Sequence, residues 1–219
     1  MNLITIDGPS ASGKGTVSQR VATILGWNVL DSGALYRLSA LTCIRNNVPI
    51  SNIDLVVKSI KEMDIRFCDG EVFLDSNIVT EDIRNEEVGL IASKLASIPE
   101  VRLALVDLQH SFLTSKGLIA DGRDMGTVIF PEAPLKIFLD SDLHTRVTRR
   151  FNQLKEKGID ANYDEIWSDM ARRDELDRNR KISPLIPSAD ALIIDSTHLS
   201  IDEVVNLIIT KWQNLQSTT

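Results

Sequence analysis

Cysteine is nearly absent: Cys43 and Cys68 are the only two in 219 residues, and neither has a metal-type partner nearby in sequence. Such a chain cannot rest on a disulfide framework, and its thiols are expected to stay reduced, as in a cytoplasmic protein. Long apolar runs are missing as well. No stretch approaches the roughly 20 residues that a membrane-spanning helix needs, and the N-terminus enters an apolar strand at once, without a signal-peptide pattern. Positive charge is not in surplus. The formal net charge of −7 argues against non-specific nucleic-acid binding as the main role. Internal repeats and low-complexity tracts are also lacking. What remains is ordinary for a globular protein, with enough apolar residues for one α/β domain spanning 1–219.

The densest signal lies at the start. Leu3-Ile-Thr-Ile6 runs straight into Asp7-Gly-Pro-Ser-Ala-Ser-Gly-Lys-Gly-Thr16. A strand followed by Gly8-x-x-x-x-Gly13-Lys14 has the spacing of a loop that cradles the polyphosphate of a nucleoside triphosphate. Gly8 and Gly13 let the backbone turn its N–H groups toward an anion, and Lys14 supplies a mobile charge for the β- and γ-phosphates. The residues from Lys14 to Leu25 read as a helix with Val17, Val21, Ile24 and Leu25 inward, its first turn aimed at the same phosphates. The loop Gly8, Pro9, Ser10, Ala11, Ser12, Gly13, Lys14, Gly15 and Thr16 is therefore the expected ATP site. Gly15 stands where the ordinary motif has Ser or Thr, and the hydroxyl comes one position later, at Thr16. Thr16 and Asp121 are the candidates for organising a metal, though Asp121 could equally cap its local turn.

Five segments read as buried parallel strands: Leu3–Ile6, Asn28–Leu30, Leu118–Asp121, Lys136–Leu139 and Ala191–Ile194. Helices are expected over Lys14–Leu25 and Ala34–Asn46. Another should begin at Pro99 with Val101, Leu105, Leu108, Phe112 and Leu113 on one face, and a last one at the capping box Ser200-Ile-Asp-Glu203. The outline is a three-layer α/β/α fold around a five-stranded parallel sheet. Residues 62–86 differ. Asp64–Phe67, Glu71–Leu74 and Asn77–Thr80, divided by Asp69-Gly70 and Asp75-Ser76, read as a small inserted antiparallel meander.

Three polar clusters follow ends of core strands, where open α/β sheets place ligands. They are Asp31-Ser32-Gly-Ala-Leu-Tyr36-Arg37, Asp121-Gly-Arg123-Asp124-Met-Gly126, and Arg172-Arg173 through Asp177 to Arg180. Arg173, Asp177 and Arg180 are spaced for one helical face. The stretch from Arg146 to Lys181 carries ten Lys and Arg against eight Asp and Glu in an otherwise acidic chain, which suggests a local anion site. Each cluster alone could be a structural ion pair. Together they supply what phosphoryl transfer to a small bound acceptor needs.

These motifs resemble bacterial cytidylate kinase. The likeness is carried by Gly-Pro-Ser-x-x-Gly-Lys-Gly-Thr at 8–16, Leu30-Asp-Ser-Gly33 with Tyr36-Arg37, Ile119 to Val128, Lys136-Ile-Phe-Leu-Asp140, and Arg173-Asp…Asp177-Arg-Asn-Arg180. The resemblance implies transfer of the γ-phosphate of ATP to CMP or dCMP with Mg²⁺, in pyrimidine nucleotide metabolism. It implies Ser93, Arg102 and Asp124 at the cytosine ring, and Tyr36, Arg173 and Asp177 around the ribose. Arg37, Arg123 and Arg180 would hold the CMP phosphate, and Ser32 is a further CMP-binding residue. Lys14, Arg123, Arg173 and Arg180 would carry the transfer itself. Residues 62–86 correspond to the monophosphate-binding module and 146–162 to a mobile lid over ATP. A monomer that binds neither nucleic acid nor membrane is the expectation. Two other readings stay open: a kinase of another small acceptor, such as UMP or a shikimate-like molecule, and a P-loop NTPase switch.

Overall fold

The apolar run after Asn2 becomes strand β1 (Leu3–Asp7), buried at all five positions. A strand shielded on both faces has no polar side to show, which is why this run does not alternate. A computed structural model describes residues 1–68 and 70–217. In chain order β1 is followed by α1 (Lys14–Leu25), β2 (Asn28–Asp31), α2 (Ser32–Arg45), α3 (Ile53–Lys61), β3 (Ile65–Cys68), β4 (Glu71–Leu74) and β5 (Asn77–Ile78). Then come α4 (Glu86–Leu95), α5 (Pro99–Ser111), β6 (Leu118–Gly122), β7 (Leu135–Asp140), α6 (Leu143–Glu156), α7 (Tyr163–Asn179), β8 (Leu192–Asp195) and α8 (Ile201–Ser217). A 3₁₀ turn at Asp82–Arg84 precedes α4, and a π-helical turn at Met125–Ile129 follows β6.

The chain forms two compact units, one made of Met1–Leu30 with the residues from Phe112 onward, the other of Asp31–Ser111. The first holds a five-stranded sheet in the order β2-β6-β1-β7-β8, and all five expected strands are present. β1 is central, parallel to β6 on one side and to β7 on the other. Its register sets Asp7 opposite Gly122 and Phe138, so the loops that follow β1 and β6 leave the same end of the sheet side by side. Ile4, Ile6, Ile119, Ile137 and Leu139 from the strands share one core with Val17 and Val21 of α1 and Val204, Ile208 and Trp212 of α8. Trp27 closes an edge of it, its ring 5.0 Å from that of Trp212 in an edge-to-face contact. The inward face of α1 differs from the expected one: Ile24 is 59% exposed, while Ser18 and Ala22 are buried. The capping box at α8 forms as its spacing requires, Ser200 N–H donating to Glu203 Oε2 and Glu203 N–H to Ser200 Oγ.

In the second unit α2 packs on α4 and α3 on α5. Helix α2 starts two residues earlier than the apolar pattern suggests, because Asp31 accepts from Ala34 N–H at 2.9 Å and caps it. Helix α5 stops at Ser111, which leaves Phe112 and Leu113 beyond its buried face. The antiparallel meander β3-β4-β5 is present. Asp75 and Ser76 join β4 to β5 as a two-residue turn with positive φ at both positions (49° and 66°), the twist that a tight hairpin demands. Asp69, expected in the other turn, lies outside the described residues. The third strand is shorter than Asn77–Thr80, since Thr80 Oγ1 rather than backbone takes the Val72 N–H.

Candidate active site

The phosphate loop is shaped by its own atoms. Gly8 has φ 152°, and a Cβ there would lie 2.1 Å from the Leu139 carbonyl oxygen, so only glycine passes between β1 and β7. Gly13, at φ 95°, turns the chain into α1. Lys14 is buried and its Nζ donates to the Pro9 carbonyl at 2.7 Å, while Ser12 Oγ donates to the same carbonyl at 3.1 Å. The loop also has an outside brace. Arg146 of α6 donates to the Ser10 carbonyl at 3.1 Å and to that of Ser141 at 2.9 Å, and grips Asp174 of α7 with both terminal nitrogens, at 3.2 and 2.5 Å. The first arginine of the expected lid segment is thus a root, fastened to the loop and to α7.

Beside this loop lies the second cluster. Arg123 Nε donates to Asp177 Oδ2 at 2.9 Å, and Arg180 Nη2 stands 3.9 Å from Asp124 Oδ1. Two acid–base pairs therefore link the loop after β6 to the C-terminal end of α7. Burial opposes the charge on Arg123, yet Asp177, Asp121 and Asp174 outweigh it and hold the guanidinium above its ordinary value. Arg173 and Asp177 sit on α7 as the spacing suggests. Arg180 does not share their helical face, because α7 ends at Asn179 and Arg180 is its C-cap with extended backbone, its Nε donating to the Ser183 carbonyl.

Asp121, next to last in β6, is buried, and a Cβ on Gly15 would lie 3.7 Å from its Oδ2. The residue type at position 15 thus decides what stands between α1 and that carboxylate. Thr16 is exposed one position along. Among the described residues no group of three or more His, Cys, Asp or Glu forms a metal cage. Magnesium in phosphoryl-transfer sites takes few protein oxygens and keeps water and phosphate for the rest. One hydroxyl and one carboxylate fit that demand.

The second unit carries the other expected residues. Ser32 and Tyr36 are buried on α2, and Ser32 Oγ donates to Gln109 Oε1 at 2.9 Å. Arg102 of α5 is buried, with its guanidinium 6.0 Å from the Tyr36 ring centroid and one nitrogen donating to the Ala96 carbonyl at 3.2 Å. Arg37 donates to the Ile83 carbonyl at 2.6 Å, tying α2 to the 3₁₀ turn that follows the meander. Ser93 Oγ donates back to Gly89 in α4. Within this unit Tyr36 and Arg102 are neighbours, whereas Arg37 is engaged with the Asp82–Arg84 turn.

Sequence reasoning passed over Asp7, Gln109, Arg146 as a brace, and Asp174. Asp7 offered one signal, a lone carboxylate closing a strand that is otherwise apolar. Burial pushes it from 3.8 up to about 6, with Asp124 adding to the rise, while the Gly126 and Met125 amides and Lys14 pull the other way.

A polyphosphate cradle at the end of a central parallel strand, with paired arginines and aspartates rooted next to it, defines a P-loop kinase of the nucleoside-monophosphate class. The family model described as Cytidylate kinase matches residues 4–214. A cytidylate kinase from Colwellia psychrerythraea (strain 34H) is 51% identical over 212 residues, covering 94% of each chain. Another from Bordetella bronchiseptica is 49% identical over 211 residues, covering 96% of this chain and 95% of its own. The chain belongs to the cytidylate kinase family. The crystal structure of an uncharacterized protein from Eubacterium ventriosum aligns over 97% of this chain and 98% of its own, with a TM-score of 0.51 and 14% identity, a likeness of fold alone.

Proposed function

We propose that this protein transfers the γ-phosphate of ATP to CMP or dCMP, giving the diphosphate and ADP, with the residues named above in distinct roles. The observation that carries this reading is the pair of contacts, Arg123 with Asp177 and Arg180 with Asp124, set beside a phosphate loop in a chain of this family. Gly8 to Thr16 take the ATP polyphosphate on backbone amides. Lys14 leaves the Pro9 carbonyl for the β- and γ-phosphates and neutralises charge as it develops. Arg123, Arg173 and Arg180 cover the transferred group and exclude water, the competing acceptor. No general base is required, because the attacking atom is already an anionic phosphate oxygen.

Asp124 takes the exocyclic amine of cytosine. A carboxylate only accepts, so the O4 of uracil would face it acceptor to acceptor. Asp177 serves the ribose. From the second unit, Ser32, Tyr36, Arg37, Ser93 and Arg102 serve the same nucleotide, and their support is the match of their positions to the family's motifs. Thr16 and Asp121 would hold Mg²⁺, which offsets phosphate charge when bound. The 62–86 module binds the monophosphate and 146–162 is a mobile lid over ATP, in a cytoplasmic monomer. No helix among the described residues is long and apolar enough to cross a membrane.

A coupled assay of ADP formation with CMP, dCMP, UMP, AMP and GMP side by side tests the reading. It expects CMP and dCMP to lead by at least about tenfold, the discrimination one mismatched polar contact supplies. Equal rates with UMP, or ADP release without any acceptor, would overturn it.

A further inference from the structure

Asp7 is the last residue of β1 and is 5% exposed. Its two carboxylate oxygens accept from consecutive amides: Oδ1 from Met125 N–H and Oδ2 from Gly126 N–H, each at 2.8 Å. Those amides open the π-helical turn Met125–Ile129, to which Asp124, the residue at the N-cap position, gives no side-chain hydrogen bond. The orphan amides of a helical start are usually satisfied by the side chain at that position. Here a carboxylate from another strand does so, and the Asp124 carboxylate points toward Arg180 at 3.9 Å.

The turn is also seated closely on the sheet. A Cβ on Gly126 would lie 2.8 Å from Thr5 Oγ1 and 3.2 Å from the Lys136 stem, so β1 and β7 fix its height while Asp7 fixes its rotation. The groups whose charges bear on Asp7 are Asp124, which repels it, and Lys14, which attracts it. An acid placed there works against both burial and Asp124.

We infer that Asp7 is a positioning residue for acceptor recognition: by capping the 125–129 turn from β1, it holds the Asp124 carboxylate at the height the pyrimidine requires. The inference rests on the reading of Asp124 as the cytosine contact. It also makes β1 a common frame for both substrates, since the same strand ends in the phosphate loop.

Steady-state kinetics of Asp7→Asn and Asp124→Asn, each with CMP, UMP and ATP varied, test it. The amide keeps one acceptor but sets an NH₂ against an amide N–H. Asp7→Asn should raise KM for CMP and narrow the CMP-over-UMP ratio in kcat/KM, each by about tenfold, the scale of losing one hydrogen bond to a charged group. KM for ATP should stay within about twofold, a split that general loosening of the fold would not produce. Loss of the ratio in Asp124→Asn with its retention in Asp7→Asn overturns the inference alone, as do equal shifts in KM for CMP and ATP. Retention of the ratio in Asp124→Asn overturns the Asp124 reading and the inference with it. If Asp7→Asn does not fold, Gly126→Ala, which lifts the same turn from below without removing a charge, is read by the same criteria.

Discussion

Two loops leave the same end of the sheet, and they are built in opposite ways. The phosphate loop is held largely from within: Ser12 and Lys14 both reach the Pro9 carbonyl, and Val17 N–H bonds back to Gly13, all within a few residues of chain. The loop from Gly122 to Ile129 is held from afar, by Asp7 on its amides, Asp177 on Arg123 and Arg180 beside Asp124. The difference fits their tasks. A triphosphate can be gripped by backbone amides, which any short glycine-bearing turn can aim. A particular acceptor has to be read by side chains, and side chains need neighbours to set their angle.

The sharpest way to break the first loop is to remove its charge. Lys14→Ala should lower kcat by roughly 10²–10⁴-fold, the size of a lost electrostatic contact in the transition state, and near-normal turnover would remove Lys14 from the mechanism. Next in size is a contrast between two glycines of that loop. Gly8→Ala drives a methyl into the Leu139 carbonyl and should cost about 2–4 kcal/mol of stability, or roughly 5–12 °C in Tm for a chain of this size. Gly15→Ala meets only an ordinary contact at 3.7 Å and should stay within about 0.5 kcal/mol. Equal melting losses would show that internal geometry does not explain the loop.

The second loop should break selectively. Arg180→Ala should cut kcat/KM for CMP by about 10- to 100-fold, as for one lost charged hydrogen bond, while ATP affinity measured alone stays close to wild type. An equal loss of ATP affinity would place Arg180 on the donor side. The gentlest probe is pH. Burial lifts Asp7 from 3.8 to about 6 in the folded protein, so between about pH 4 and 6 the folded state keeps a proton that the unfolded chain has released. Wild-type stability measured against Asp7→Asn should therefore rise as pH falls through that window, by about 1 kcal/mol per pH unit at the steepest. A difference that is flat or falls with acid would contradict the burial of that carboxylate as an anion.

What could be read from sequence follows the same division. The strands, α1 and the phosphate loop are local patterns, and the structure moves the ends of the core strands by no more than about a residue. The Gly122–Gly126 and Arg173–Arg180 clusters were visible as residues but not as partners, because pairing across more than 50 positions leaves no periodicity. Spacing sets Arg180 on a helical face since nothing in Asn179-Arg180-Lys181 marks the end of α7; Leu185 N–H reaching back to the Asp177 carbonyl marks it in the structure. Ile24 reads as buried for a different reason. Periodicity gives a stripe, but which edge of the stripe meets the core depends on where α8 lies. A single acid after four strand residues, such as Asp7, reads as the start of a loop.

The central place of β1 has a consequence for how the chain is made. β1 is synthesised more than 100 residues ahead of both its partners, Leu118–Gly122 and Leu135–Asp140. At about 5–20 residues per second a ribosome needs on the order of ten seconds to supply both. Residues 31–111, a contiguous compact unit, can condense in that interval, while β1, buried at all five positions in the finished fold, waits unpaired. Newborn chains should therefore be most prone to clump, and most in need of a chaperone, just before Asp140 leaves the tunnel.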